Sequence, residues 1–284
     1  MCQGVVVPSF TRGLDAATRD FWRLVGRPVD LSGRHSWLSG PVAEGAAVGD
    51  AWVKSSPSPS TERLGLVDSL SGLDGPGFAA DQLRAEVRDF YERTSCWQMA
   101  VRTRWSSWAL PGGAAVAHLF GRRVQQLALP LSSGGRFEHI DSQVVSIPGE
   151  SGTPPAVGWI RTLRSTGDVV YSGAYELSLL PGAARRCVHV VFPLPQGNLQ
   201  VFLEPLVLRG GALGLRSLPG DFGAEGTYVV VRGQGDDWAA RVPLHETFVV
   251  FVDHEDALRT THRIWLGTHP LVRLDYLLTP LSVR

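Results

Sequence analysis

A chain of 284 residues with 44% apolar content has the size and the core-forming material for one large β domain, or for a medium domain with an extension. Acidic and basic residues balance at 27 each, so no net field draws the chain to nucleic acid or to an anionic membrane. Three cysteines, Cys2, Cys96 and Cys187, are too few and odd in number for a disulfide scaffold and fit a reducing compartment.

Met1 to Phe10 has neither a basic n-region nor a long apolar run, so no signal peptide is expected. No apolar run reaches the ~18 residues of a spanning helix, and the expectation is a cytoplasmic protein without membrane insertion. Residues 11–27 carry a short helical pattern in which Leu14, Phe21, Leu24 and Val25 share a face. Asp30 to Val53 is glycine-rich, with Trp37 and Trp52 as bulky anchors, and is compatible with a hairpin. Ser55 to Thr61 reads as a linker or loop, because its serines and prolines sustain neither a helix nor a central strand. Residues 1–80 are therefore expected to form an extension packed on a main domain of residues 81–284.

Asp81 to Arg93 has the pattern of a helix capped by Asp81, with Leu83, Val87, Phe90 and Tyr91 at helical spacing. Cys96 to Trp105 alternates like a strand, with Trp97, Met99 and Val101 on one side. A further helix is expected from Pro111, with Val116, Leu119, Phe120, Val124 and Leu127 as its stripe. From residue 139 the period becomes two, over segments 139–147, 156–164, 168–179, 186–193, 198–208, 212–217, 226–232, 244–253, 257–266 and 271–278. Turn residues separate these segments, and no helical pattern intervenes. The predicted fold is mainly β: an antiparallel, lipocalin-like or partly closed β-barrel, with two or three helices from the N-terminal third packed against it.

Several of the apolar strand faces carry an ionisable or phenolic residue. Val157, Trp159, Arg161 and Leu163 share a face, as do Val169, Tyr171, Gly173, Tyr175, Leu177 and Leu179. Leu244, Glu246, Phe248, Val250 and Val252 face one way on their strand, and Leu258, Thr260, His262, Ile264 and Leu266 on the next. If residues 254–256 turn a hairpin, Glu246 and His262 become near-opposite or diagonal neighbours. An unpaired buried charge is costly, so these residues form either a paired structural network or the wall of a cavity.

As a site, Glu246 would orient His262 for general acid/base chemistry. Arg161 would be the counter-ion of Glu246 or would clamp a carboxylate or enolate oxygen, and Tyr171 and Tyr175 would donate to a carbonyl. Trp159 and Phe248 would shape the cavity. Asp141, after His139 at the start of a strand, is a further acid, base or turn residue. Cys187 and His189 lie two apart on one strand, but no third or fourth ligand has matching spacing, so no metal site is predicted. His245 and His254 are expected on solvent faces. The chain has no G-x-S-x-G elbow, Walker loop, G-x-G-x-x-G between strand and helix, or H-E-x-x-H, and no cofactor is expected.

The order of short motifs from Phe90 onward carries a resemblance: Phe90-Tyr91-Glu92-x-Thr94, Gln126-x-x-Leu129-Pro130, Trp159-x-Arg161 and Tyr171. It continues through Phe192-Pro193-Leu194-Pro195, Glu225-Gly226-x-Tyr228, Leu244-x-Glu246-x-Phe248, His262-x-x-Trp265 and Tyr276. In these the chain resembles the soluble C-terminal region of the YndJ-like bacterial proteins, an uncharacterised group whose members carry a membrane region ahead of this domain. The resemblance implies no activity. From the residues themselves, the expected function is binding of a hydrophobic small molecule in a barrel cavity, with cofactor-independent cyclase or isomerase chemistry as one form. A non-catalytic lipid or polyketide carrier and a structural or interaction module are the alternatives.

Overall fold

The computed structural model describes residues 9–43, 51–54, 65–109, 135–147, 156–233 and 235–281. The expected helix from Pro111, the Ser55–Thr61 loop and Cys2 lie outside them. Thirteen strands form one continuous sheet. In chain order they are β1 (Arg27–Val29), β2 (Trp97–Trp105), β3 (Glu138–Ile147), β4 (Ala156–Leu163), β5 (Val169–Ser178), β6 (Cys187–Leu194) and β7 (Gly197–Leu208). They continue as β8 (Ala212–Arg216), β9 (Gly226–Val231), β10 (Asp237–Val242), β11 (Leu244–Val252), β12 (Leu258–Leu266) and β13 (His269–Pro280).

Ten of the strands close into an antiparallel barrel in the order β7-β6-β5-β4-β3-β2-β13-β12-β11-β8, with β8 returning to β7. The fold is thus lipocalin-like and closed. Closure satisfies the backbone groups that an open edge would leave unpaired. The joint is β7, which forks. Gly197–Phe202 pairs with β9, while Glu204–Leu208 pairs with β8. The first half feeds a side sheet of β9, β10 and β1, and the second half completes the barrel.

Inward residues are those the alternation selects. Val157, Trp159 and Leu163 of β4, Val188, Val190 and Phe192 of β6, and Val272, Leu274, Tyr276 and Leu278 of β13 all join the central core. One end of the barrel, where the β7–β8 and β11–β12 turns lie, is filled by residues 65–92. Leu66, Leu70, Leu73, Phe78 and Val87 pack there with Leu213, Val250, Leu258 and Leu278. Three α-helices occur among the described residues: α1 (Ser9–Val25), the single turn α2 (Ala51–Lys54) and α3 (Ala85–Glu92).

The outer face is not uniformly solvated. Ala43, Trp52 and Val53 cover Val145, Ile160, Ala174 and Val191, and Trp52 Nε1 donates to Ser172 Oγ at 2.7 Å. Trp37 packs edge-on against Phe202, Phe222 and Tyr228. This cover explains why β6 and β9 are apolar on both faces rather than alternating. Near β2, β13 and β12 the outer face is ionic. There Asp275 accepts from Arg104 at 2.5 Å, Arg273 at 2.8 Å and Thr261 at 3.2 Å.

Several expectations are corrected. Residues 30–43 form turns and a short 3-10 segment, Ser36–Leu38, instead of half a hairpin, and Ala43 bridges Pro195. Asp81 does not cap the helix. It lies in a 3-10 turn, and α3 starts at Ala85, after Arg84 has given its backbone N–H to Gly211. In α1, Phe21, Leu24 and Val25 are exposed, and Trp22 is the residue packed against Val229, Val231 and Val242. A bulge between Arg161 and Thr162 shifts the register with β5, so Val170 enters the central core and Val169 packs outside. Leu179 is exposed, and His245, expected on a solvent face, is buried.

Candidate functional site

Above the plug the described residues do not fill the barrel interior. A cavity of ≈ 230 Å³ is lined by inward residues from every barrel strand except β3, by Thr227 of β9, and by Phe90 and Tyr91 of α3. Its wall is mostly aliphatic and aromatic. Arg161, Tyr171, Tyr175, Glu246, His262 and Tyr276 are the ionisable or phenolic groups set into it with Tyr91. The structure therefore brings together Glu246, His262, Arg161, Tyr171, Trp159, Tyr175 and Phe248. It does not bring in Asp141, which is exposed on the outer face of β3 and paired with Arg164 at 2.6 Å.

Glu246 and His262 are diagonal neighbours across the β11–β12 hairpin: Phe248 is directly opposite His262, and Glu246 opposite Ile264. The diagonal lets His262 Nε2 reach Glu246 Oε2 at 2.9 Å. Phe248 stacks on the imidazole, 3.7 Å between centroids and 15° between planes, which fixes the ring. With the carboxylate accepting, Nε2 carries the hydrogen and Nδ1 is the ring nitrogen left to take a proton.

Arg161 is the anomaly. It projects from β4 into the cavity and is only 9% exposed. Glu246, its expected counter-ion, is taken by His262. No carboxylate lies within 4.0 Å of the guanidinium among the described residues. Its Nη1 makes one long hydrogen bond, 3.4 Å, to the Tyr276 hydroxyl across the barrel, and its Nε has no partner. Three rings surround it, with Cζ at 3.8 Å from the Tyr171 centroid, 4.3 Å from Trp159 and 5.7 Å from Tyr276. A desolvated cation–π contact contributes about 2 kcal/mol, whereas removing an ion from water costs several. The rings hold the guanidinium in place without replacing a counter-charge.

The phenols are set by burial. Tyr171, Tyr91 and Tyr175 are held well above the usual phenol range, because the apolar wall disfavours their anions. The nearby Arg161 charge opposes that shift at Tyr171 and Tyr91 without reversing it. Each phenol is thus a neutral donor at ordinary pH. Tyr175 Oη is buried without a partner. Gly173, between the two tyrosines of β5, lies close to the Val191 carbonyl oxygen of β6, which a Cβ would approach to 2.9 Å. Trp159 Nε1 donates to Ser142 at 2.8 Å, which anchors the indole in the wall.

Two contributors had no site role in the sequence. Tyr276 alternates correctly with Leu274 and Leu278, and that alternation was the available signal. Tyr91 enters from α3, and helical spacing alone does not say that its ring meets a barrel interior. Cys187 and His189 face the outer layer. His189 is engaged by Glu176 at 2.6 Å and Gln200 at 2.9 Å, and it stacks on Phe202. Among the described residues no cluster of three or more His, Cys, Asp or Glu could hold a metal ion.

No family model matches the chain, and no solved structure matches it. Among curated proteins it is similar to the uncharacterized membrane protein YndJ of Bacillus subtilis, 25% identical over 225 residues and 77% of this chain. The chain spans 38% of the length of that relative. The similarity agrees with the YndJ-like resemblance of the motifs. No helix among the described residues is long and apolar enough to cross a membrane.

Proposed function

We propose that the barrel binds a hydrophobic small molecule in its interior cavity. The observation that carries this reading is the ≈ 230 Å³ of unfilled, largely apolar space inside a closed barrel. Protein interiors normally pack with few voids larger than a water. An apolar cavity of about 150 Å³ is already large enough to admit benzene. The polar groups set in an otherwise apolar wall are what a ligand site uses for orientation. The test is titration with the neutral probe N-phenyl-1-naphthylamine. Saturable fluorescence enhancement is expected, and the cavity-filling variant Val190→Trp should weaken it; a wild-type protein that gives no enhancement would refute the reading.

A second reading makes the cavity catalytic, and the 2.9 Å Glu246–His262 hydrogen bond favours it. His262 would act as acid or base through Nδ1, with Glu246 orienting it and Tyr171 and Arg161 stabilising a developing enolate or carbonyl charge. This is the equipment of a cofactor-independent cyclase or isomerase of a hydrophobic metabolite, in keeping with a cytoplasmic location. Separate Glu246→Gln and His262→Asn variants are expected to lose turnover on an identified substrate while keeping probe affinity. Full turnover in both folded variants would leave the carrier as the function.

A further inference from the structure

Resting on the reading of the barrel as a binder of hydrophobic molecules, we infer that its ligand is a hydrophobic carboxylate whose head group pairs with Arg161. The guanidinium is buried, lines the cavity, and has no carboxylate partner among the described residues. Among the described residues most of its five N–H donors are unfilled, since its one hydrogen bond to them is the long contact to Tyr276. Glu246, the carboxylate in the same wall, is hydrogen-bonded to His262 at 2.9 Å and not to Arg161. The rings of Tyr171, Trp159 and Tyr276 confine the guanidinium, which reduces the side-chain entropy a ligand must remove. A guanidinium fork matches a planar carboxylate better than it matches a hydroxyl or an ester. Tyr171, neutral and beside Arg161, is a second donor for the same head group. The remaining wall, from Phe192 and Leu199 to Leu274, is apolar and suits an aliphatic or aromatic tail.

The experiment is competition against bound N-phenyl-1-naphthylamine by decanoate and by decanol, which share a tail and differ in charge. Decanoate is expected to compete about tenfold to a hundredfold more tightly than decanol on wild-type protein, the range of a charge-assisted hydrogen bond. Arg161→Met should abolish that preference, so that decanoate no longer competes more tightly than decanol. Equal competition by the two on wild-type protein overturns the inference without need of any variant, and so does an Arg161→Met protein that keeps the preference. If decanol competes and decanoate does not, the cavity takes neutral molecules only, and the inference fails while the binding function stands. If the neutral probe itself does not bind, the binding function fails, and this inference fails with it.

Discussion

A phenol buried in apolar surroundings keeps its proton, and this protein holds several such phenols. Tyr91, Tyr171, Tyr175 and Tyr228 are all raised above the ordinary range, with burial as the largest cause in each. The unfolded chain releases these protons near pH ~10, whereas the folded state retains them to higher pH. Their contribution to stability is therefore present below the unfolded value and is lost as pH rises toward the folded values. Ultraviolet titration of the native protein should show a minority of the five tyrosines ionised by about pH 11. The others should appear only as the protein unfolds; a native protein in which all titrate together near pH ~10 would contradict the buried placement. At this scale much of the site was legible. Arg161, Tyr171, Tyr175, Glu246 and His262 follow from period two, because a sheet sends alternate residues to one side. Asp141 is singled out in the sequence by its place at the start of a strand and not by alternation, and it lies between Ile140 and Ser142, one step out of phase with the inward face.

Among the elements, β7 decides the architecture, since its halves belong to two different sheets. At the start of β7 Gly197 is pressed against the Val230 carbonyl oxygen of β9, with no room for a Cβ. Gly197→Ala should push β9 off β7 and cost about 1–3 kcal/mol, in the range of overpacking substitutions. A denaturant midpoint unchanged from wild type would show that the two strands separate freely. The strand pattern identified β2 to β9 and β11 to β13, but it missed β10 and β1. Asp237 to Val242 follows a turn-rich stretch and contains two alanines, which carry weak strand preference. It is a strand because β9 and β1 flank it. The rotation of α1 has a similar origin. Gly26 and β1 follow Val25 at once, so docking of β1 on β10 sets which side of the helix meets the sheet, and Trp22 takes that side.

For the whole molecule, closure and cavity are coupled. The segment 65–92 plugs one end of the barrel, while the 230 Å³ left inside is stabilisation that packing does not supply. A ligand that fills it binds the folded state alone, so N-phenyl-1-naphthylamine at about a hundred times its Kd should add about 2.7 kcal/mol and raise Tm by several degrees. An unchanged Tm at saturating probe would show that the probe does not prefer the folded state to the unfolded chain. Alternation, turn residues and the absence of intervening helices determined from the sequence alone that this is an antiparallel, closed or partly closed barrel, and which side chains face inward on most of its strands. These are local consequences of the two-residue period and of what turns require. Only the tertiary structure decided that β8 closes on the second half of β7, that Trp37 and Trp52 build an outer layer, and that Glu246 is engaged by His262 and not by Arg161, which has no carboxylate partner among the described residues. Those outcomes depend on strand stagger and on distances across the interior, which bring together residues such as Arg161 and Tyr276 that are 115 positions apart in the chain.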